Sequence, residues 1–217
     1  MSAVHREALR GLYTITPDDM LLPRLSAMVS MALRGGCRLI QYRNKVAPAP
    51  LQRAQAADLL RLCRAVGALL IVNDDLHLAL EIGADGVHLG DDDGDLVAAR
   101  KALGRERLLG VSCYSSLDRV ETAARVGADY VGIGSVYASA TKPQAVRASL
   151  DLLGEVRRRF GLPVAAIGGI TLDNAPEAIA AGADMVAVIG DLFDAMDISA
   201  RAEAFQGLFN HGMPVSP

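Results

Sequence analysis

The chain has 217 residues, 51% of them hydrophobic and 22% charged, which is enough to bury the core of one domain. Its formal net charge is -3, and its Lys and Arg residues form no run, which argues against nucleic acid as a partner. No stretch approaches the roughly 18 uninterrupted apolar residues of a membrane span, and residues 1–7 lack an apolar signal core, so we expect a cytoplasmic protein that binds no membrane. We interpret Cys37, Cys63 and Cys113 as reduced structural thiols, because their number and spacing fit neither a disulfide framework nor a zinc site.

Short apolar strands alternate with amphipathic helical stretches along the whole chain. The predicted strands cover residues 11–16, 38–43, 69–73, 86–89, 108–114, 130–136, 163–168 and 185–189. Helical segments between them include residues 51–66, 117–126 and 150–159. One joint recurs three times, in which Gly ends a helix and Ala-Asp leads into a strand, at Gly83-Ala84-Asp85, Gly127-Ala128-Asp129 and Gly182-Ala183-Asp184.

Strict alternation of strands and helices predicts parallel strands, and eight such units favour a closed barrel. We therefore predict an α/β fold in which residues 1–217 form a single-domain TIM (β/α)₈ barrel with a frayed tail at residues 211–217. An open doubly wound sheet is the alternative. Its G-x-G-x-x-G fingerprint is missing after the first strand, where Pro17-Asp18-Asp19 follows Thr16.

Charged residues follow the second, third and fourth predicted strands, at the end of the barrel where active sites of this fold lie. Gln41, Arg43 and Lys45 share one face at the second strand end, and Asn73-Asp74 ends the third. Asp93 follows the fourth, whereas we interpret Asp91, Asp92 and Asp95 as caps of the next helix. Carboxylates on adjacent strand ends repel one another unless a cation lies between them, so this pattern predicts a Mg²⁺ site.

Hydroxyl groups and glycines follow the later strands. Ser112 lies at the end of the fifth strand, and Ser139, Thr141 and Lys142 indicate an anion-binding loop after the sixth. A Ser/Thr-rich turn without function explains that loop equally well. Glycines at the ends of strands seven and eight are typical of the phosphate site of these barrels, where backbone N–H groups at a helix N-terminus face the anion.

These motifs together resemble thiamine-phosphate synthases. The resemblance rests on Gln41-Tyr42-Arg43-Asn44-Lys45, Val72-Asn73-Asp74, Gly86-Val87-His88-Leu89-Gly90 with Asp93, Gly110-Val111-Ser112, Ser139-Ala140-Thr141-Lys142 and Ala166-Ile167-Gly168-Gly169-Ile170. It spans residues 11–193 in family order. Members of that family join hydroxymethylpyrimidine diphosphate to hydroxyethylthiazole phosphate, or its carboxylated form, and release thiamine phosphate and diphosphate.

The resemblance also implies roles for individual residues. Arg43, Lys45 and Lys142 would be the catalytic cations on the diphosphate, and Asp74 and Asp93 would hold Mg²⁺. The residues implied to bind the pyrimidine diphosphate are Gln41, Tyr42, Arg43, Asn44, Lys45, Asn73, Ser112 and Lys142, with Tyr42 and Asn44 contributing backbone groups. Those implied to bind the thiazole phosphate are Ser139, Ala140, Thr141, Gly169, Ile189 and Gly190.

The chain departs from the family pattern at a few of these positions. Thr is usual where Ser139 stands, Ser is common where Gly190 stands, and Gln-Glu is frequent in place of Asp91-Asp92. Three alternatives remain from the sequence: a thiazole tautomerase of the same fold, a phosphosugar isomerase or epimerase, and a non-catalytic binding protein for thiamine precursors. The sequence carries no signal for the oligomeric state.

Overall fold

A computed structural model describes residues 8–138 and 146–210, and within them eight parallel strands close into a barrel in chain order. β1 pairs with β2 on one side and with β8 on the other, which closes the sheet and confirms the predicted (β/α)₈ fold. The strands are β1 (Gly11–Ile15), β2 (Leu39–Tyr42), β3 (Leu69–Asn73), β4 (Gly86–Leu89), β5 (Leu108–Tyr114), β6 (Tyr130–Ile133), β7 (Val164–Ile167) and β8 (Met185–Val188).

The described helices pack around the outside of this barrel. They are α1 (Leu22–Arg34), α2 (Ala49–Ala65), α3 (Leu76–Ile82), α4 (Leu96–Leu103), α5 (Leu117–Val126), α6 (Asp151–Phe160), α7 (Ala175–Ala180), α8 (Gly190–Phe193) and α9 (Ile198–Asn210). α5 has the predicted bounds, because Ser116 caps its first turn and Gly127, at φ 80°, ends it. None of these helices combines the length and the apolar character of a membrane span.

The strand at β6 is shorter than the sequence pattern predicts. Its ladder stops at Ile133, whereas the prediction extended to residue 136. The Ser135 hydroxyl donates to the carbonyl of Tyr137 at 2.6 Å, so the chain turns locally instead of continuing the strand. Residues 139–145, which follow this turn after Ala138, lie outside the described residues.

The aspartate of each Gly-Ala-Asp joint ties the start of a strand to the strand before it. The carboxylates of Asp85, Asp129 and Asp184 accept the backbone N–H groups of Leu70, Leu109 and Val164 at 2.8, 2.8 and 3.0 Å. The backbone N–H group of each aspartate donates to the carbonyl of the same partner residue. The repeated motif therefore has a structural role at the N-terminal end of the barrel, opposite the expected site.

Two apolar layers support the barrel, one inside it and one between its wall and the helices. Leu39, Ile71 and Tyr13 belong to the inner cluster, and Cys37 and Cys113 belong to the outer one. Cys37, Cys63 and Cys113 are all free and buried, in agreement with their interpretation as structural thiols. Because successive strand residues face opposite sides, Ser112 faces the interior while its neighbour Cys113 packs outward.

Candidate active site

The C-terminal ends of β1 and β2 are joined through the residues that carry the predicted cations. The Thr16 hydroxyl donates to the Arg43 carbonyl at 2.8 Å and accepts the Arg43 N–H at 2.9 Å. Nη1 of Arg43 lies 3.2 Å from both carboxylate oxygens of Asp18, which also accepts the Lys45 N–H at 2.7 Å. Asp18 therefore fixes the loop that presents both cations.

Lys45 connects this cationic loop to the carboxylates that follow β3 and β4. Its Nζ lies 3.1 Å from Oδ2 of Asp74, and Asp93 accepts the Gly90 N–H at 2.7 Å. Partial burial and then the neighbouring Asp74 carboxylate raise the pKa of Asp93 above its ordinary range, while the Gly90 N–H and Lys45 act in the opposite direction. The two carboxylates thus crowd one another, as predicted from their strand ends.

A hard dication fits this arrangement. Crowded carboxylates become favourable when a divalent cation neutralises them, and Mg²⁺ in proteins is commonly held by one or two carboxylates together with phosphate and water. Within residues 8–138 and 146–210, no group of three or more His, Cys, Asp or Glu side chains forms a complete protein-only metal site. Asp74 and Asp93 would therefore supply only part of a coordination shell.

The loop after β4 is fastened to the end of β5 by Arg119. Its guanidinium donates to the Ser112 carbonyl through Nε at 3.2 Å and Nη2 at 3.1 Å, and pairs with Asp91. It also lies 5.5 Å from the centre of the Tyr114 ring. Of the three aspartates predicted to cap the next helix, Asp95 is its N-cap and accepts the N–H groups of Val97 and Ala98. The prediction is wrong for Asp91 and Asp92, which lie before this cap, and Asp91 pairs with Arg119 instead.

The side chains of Tyr42 and Asn44 are already engaged by the protein. The Tyr42 hydroxyl donates to Oε1 of Gln55 at 2.9 Å. Nδ2 of Asn44 donates to the Asp19 carbonyl at 2.7 Å, and its Oδ1 accepts the N–H of Ala47 at 3.1 Å. A ligand could therefore contact these two residues only through backbone groups without breaking the loop.

A cavity of about 280 Å³ opens beside the same strand ends. Lys45, Asn73 and Asp74 line it, together with Tyr42 and Asn44. A larger cavity of about 420 Å³ lies on the outer face between α2 and α3 and contains Arg53, Arg61 and Arg64. Those arginines already contact Glu81, Asp58 and the Gly83 carbonyl respectively, so the smaller cavity is the better candidate for ligand chemistry.

A buried chain of polar side chains crosses the barrel interior beneath these residues. Nε2 of Gln41 lies 2.5 Å from the Tyr13 hydroxyl, which lies 2.6 Å from the Tyr130 hydroxyl. Nδ1 of His88 lies 3.1 Å from the Tyr130 hydroxyl, and its Nε2 lies 2.8 Å from Oγ of Ser112. Burial lowers the pKa of His88 to about 4, so its imidazole is neutral near pH 7.

The glycines after β7 have a packing role as well as the predicted ligand role. Gly169 has φ 64°, and a Cβ there would lie 2.9 Å from the carbonyl carbon of Ala138. The Asn174 side chain donates to the Gly169 carbonyl at 2.9 Å and accepts the Thr171 N–H at 2.8 Å. Glycine is therefore required for the close approach of the loops after β6 and β7, whatever binds there.

The remaining residues of the predicted phosphate site lie at the end of β8 or outside the described chain. Ile189 packs against the interior cluster, and Gly190 begins the short helix α8. At Gly190 a Cβ would meet only Oδ2 of Asp194, at 3.1 Å, so glycine is not sterically required. Ser139, Ala140, Thr141 and Lys142 belong to residues 139–145, outside the described residues.

Sequence reasoning overlooked several residues that organise the site. Asp18 had no signal beyond its position after the first strand, and Arg119 resembled any helix-surface arginine. Tyr13 and Tyr130 fit the pattern of core residues, and His88, which lies within a strand, makes its hydrogen bonds to Tyr130 and Ser112 inside the barrel. The signal that joins them is spatial, because Tyr13 and Tyr130 are 117 positions apart.

Comparisons with known proteins agree on one family. Residues 12–192 match the family model for thiamine monophosphate synthase. The thiamine-phosphate synthase of Aromatoleum aromaticum is 55% identical over 202 residues, covering 93% of this chain and 97% of the relative. That of Methylobacillus flagellatus is 52% identical over 202 residues, covering 93% of this chain and 96% of the relative.

A solved structure extends this agreement to the fold. The thiamine phosphate pyrophosphorylase of Pyrococcus furiosus superposes with a TM-score of 0.85 at 35% identity, covering 95% of this chain and 98% of that one. The sequence match, the barrel and the order of the motifs along the chain all point in the same direction. The chain belongs to the thiamine monophosphate synthase family, whose members are transferases of thiamine biosynthesis.

Proposed function

We propose that the protein condenses hydroxymethylpyrimidine diphosphate with hydroxyethylthiazole phosphate, or its carboxylated form, to give thiamine phosphate and diphosphate. The observation that carries this proposal is the cluster formed by Lys45, Asp74 and Asp93, with Arg43 in the same loop as Lys45. A site that combines cations with crowded carboxylates suits a diphosphate bound together with a divalent cation. A thiazole tautomerase has no diphosphate to neutralise and would not need this cluster.

With hydroxyethylthiazole phosphate, the chemistry requires one bond to break and one to form. The carboxylated form would also have to lose its carboxylate as carbon dioxide to give the same product. The bond between the pyrimidine methylene carbon and the diphosphate oxygen breaks, and the bonding electron pair leaves with diphosphate. The aminopyrimidine stabilises the resulting cation until the thiazole nitrogen forms a bond to the same carbon. Arg43, Lys45 and Lys142 would stabilise the negative charge that develops on the leaving group.

Mg²⁺ held by Asp74 and Asp93 would add charge neutralisation at the diphosphate. The chain's own residues contribute mainly binding and orientation. Gln41, Asn73 and Ser112 would hold the pyrimidine ring, and burial of Gln41 fixes its side chain against the barrel interior. Such a reaction needs little proton transfer, which fits a site in which the buried His88 is held neutral.

The second substrate would bind on the opposite side of the barrel end. Gly169, Ile189 and Gly190, with Ser139, Ala140 and Thr141, would receive the thiazole phosphate. Backbone N–H groups in the first turn of a helix have no partner within that helix, and α8 begins at Gly190. The two phosphorylated groups would then lie apart while the reacting carbon and nitrogen meet between them.

The direct test is incubation with both substrates and Mg²⁺, followed by detection of thiamine phosphate and diphosphate in equal amounts. We expect product that depends on all three additions and disappears with excess chelator. Binding of both substrates without product would identify a non-catalytic binding protein instead. Aromatisation of a thiazole carboxylate phosphate without condensation would identify a tautomerase.

A further inference from the structure

One direction of hydrogen bonding satisfies both tyrosine hydroxyls in the buried chain of side chains from Gln41 to Ser112. Nε2 of Gln41 can only donate, so the Tyr13 oxygen accepts at 2.5 Å. Either hydroxyl of the 2.6 Å Tyr13–Tyr130 contact could donate, and donation by Tyr13 is the arrangement that gives its buried hydrogen an acceptor. Tyr130 then donates its own hydrogen to Nδ1 of His88 at 3.1 Å. Each donor determines the role of the next group along the chain.

This direction fixes the tautomer of His88. Its Nδ1 accepts from Tyr130, so in the neutral ring the hydrogen lies on Nε2, which donates to Oγ of Ser112 at 2.8 Å. The Ser112 hydroxyl thereby keeps its own hydrogen for another partner. At the opposite end, the amide of Gln41 keeps Oε1 for another partner, since its Nε2 is used by Tyr13.

Burial of these side chains prevents water from interrupting the hydrogen bonds between them. Gln41 is 3% exposed, Tyr13 1%, Tyr130 0% and His88 6%. Gly110 makes space for the central contacts, because a Cβ at this position would lie 2.5 Å from Nδ1 of His88. A reversed group in such a place would leave a buried donor or acceptor unsatisfied, which is unfavourable.

We propose that Tyr13, Tyr130 and His88 are positioning residues that couple Gln41 to Ser112, so that Gln41 presents an acceptor and Ser112 presents a donor to the pyrimidine ring. This inference rests on the proposed function and deepens it. The amino group of an aminopyrimidine donates to Gln41, and a ring nitrogen accepts from Ser112. An oxo analogue, with a carbonyl and a ring N–H in these places, has the opposite pattern of donors and acceptors. It is bound poorly unless every hydrogen bond from Gln41 to Ser112 reverses its direction.

The first test needs no substrate. Long-range ¹H–¹⁵N correlation spectra at pH 7 report which ring nitrogen of a histidine carries the hydrogen, and the His88→Gln variant assigns the signal among the four histidines. We expect the Nε2–H tautomer for His88. A signal from the Nδ1–H tautomer, or from equal amounts of both, would overturn the proposed direction.

The second test interrupts the series of hydrogen bonds at its centre with the variant Tyr130→Phe. Tyr13 then loses the acceptor for its hydrogen and turns to Oε1 of Gln41, which reverses the amide. We expect KM for the aminopyrimidine diphosphate to rise at least about tenfold, with little change for the thiazole phosphate. The preference for the aminopyrimidine over its oxo analogue should fall by at least about tenfold as well.

The matched control is Thr14→Val, which removes a buried hydroxyl that contacts Cys37 at 3.1 Å on the outer side of the barrel wall. Both variants are compared by thermal unfolding, so that a general loss of packing is recognised. Unchanged substrate preference in a folded, active Tyr130→Phe variant would refute the coupling. Failure of the wild-type protein to form thiamine phosphate would refute the proposed function. The tautomer measurement would still decide the direction of the hydrogen bonds from Gln41 to Ser112.

Discussion

Nζ of Lys45 lies 3.1 Å from Oδ2 of Asp74, so a cation from the end of β2 meets a carboxylate from the end of β3. The pair is partly open to solvent, with 55% of the Lys45 side chain and 27% of the Asp74 side chain exposed. An exposed ion pair contributes little to stability. Its position beside Asp93 therefore fits a ligand-binding role better than a role in folding.

Asp74→Asn should weaken the response to Mg²⁺ without unfolding the protein. Without the Asp74 carboxylate, Asp93 is the one proposed carboxylate ligand left for the metal, and Lys45 loses its ion-pair partner. We expect the Mg²⁺ concentration for half-maximal activity to rise at least about tenfold and turnover to fall by about 10²-fold. Activity is measured across a Mg²⁺ titration, with circular dichroism melting to verify folding. Glu121→Gln, which alters an exposed ion pair with Arg125, is the control and should behave like the wild type.

Arg43→Ala should lower kcat by about 10²–10³-fold, the usual effect of removing one donor that stabilises developing negative charge. Asp18→Ala should have a smaller effect in the same direction, because it releases Arg43 and the backbone of Lys45 without removing either cation. Steady-state kinetics with the pyrimidine diphosphate varied would compare the two. An Asp18 variant more impaired than the Arg43 variant would show that the carboxylate itself acts on the substrate.

The local features of this fold could be predicted from sequence because they have local causes. The bounds of β3, β4, β5 and α5 match the prediction, since glycine stops and caps mark their neighbours. Residues that act across the barrel could not be predicted in the same way. The contact of Tyr13 with Tyr130 depends on strand tilt and register around the closed sheet, which no periodicity within one strand encodes.

The same limit applies to the site. Asp74 and Asp93 could be proposed because they follow adjacent strands, but the role of Asp18 depends on how the loop after β1 meets the loop after β2. The glycine at position 169 was interpreted through its possible ligand, and its steric necessity became visible only from the position of Ala138. A glycine such as Gly169 can thus serve both the packing of two loops and the binding of a ligand.

Asp19→Asn tests how much the Asp19 carboxylate stabilises the segment that contacts the loop of Arg43 and Lys45. The Asp19 carboxylate accepts the Leu21 N–H at 2.7 Å, and its backbone carbonyl accepts from Asn44 and Gln55. We expect the free energy of unfolding to fall by about 1 kcal/mol, because the partner Arg24 is mostly exposed and its ion pair is screened. Urea denaturation near pH 7 measures this change, and Glu121→Gln again provides the surface control.

The pH dependence of that variant has a defined sign. Hydrogen bonding from Arg24 lowers the pKa of Asp19, burial opposes it, and the Leu21 N–H lowers it further. A pKa that is lower in the folded state gives stabilisation that is present above about pH 4 and is lost as the pH falls below it. The wild type should therefore lose more stability than Asp19→Asn between about pH 5 and pH 3. Equal losses would show that the carboxylate is not stabilised by folding.

Gly190→Ser tests the proposed thiazole phosphate site. It adds the hydroxyl group of the serine that is common at this position in thiamine-phosphate synthases. The backbone of Gly190 belongs to α8 and has no positive φ, and a Cβ there meets only the end of the Asp194 side chain, so the variant should fold. If the phosphate binds at the start of α8, the hydroxyl gains a charge-assisted hydrogen bond, and KM for the thiazole phosphate should fall several-fold. Gly190→Ala adds the same Cβ without the hydroxyl and should not improve KM. Equal kinetics for the serine and alanine variants would place the phosphate away from this helix, because a bound anion there would distinguish a hydroxyl from a methyl group.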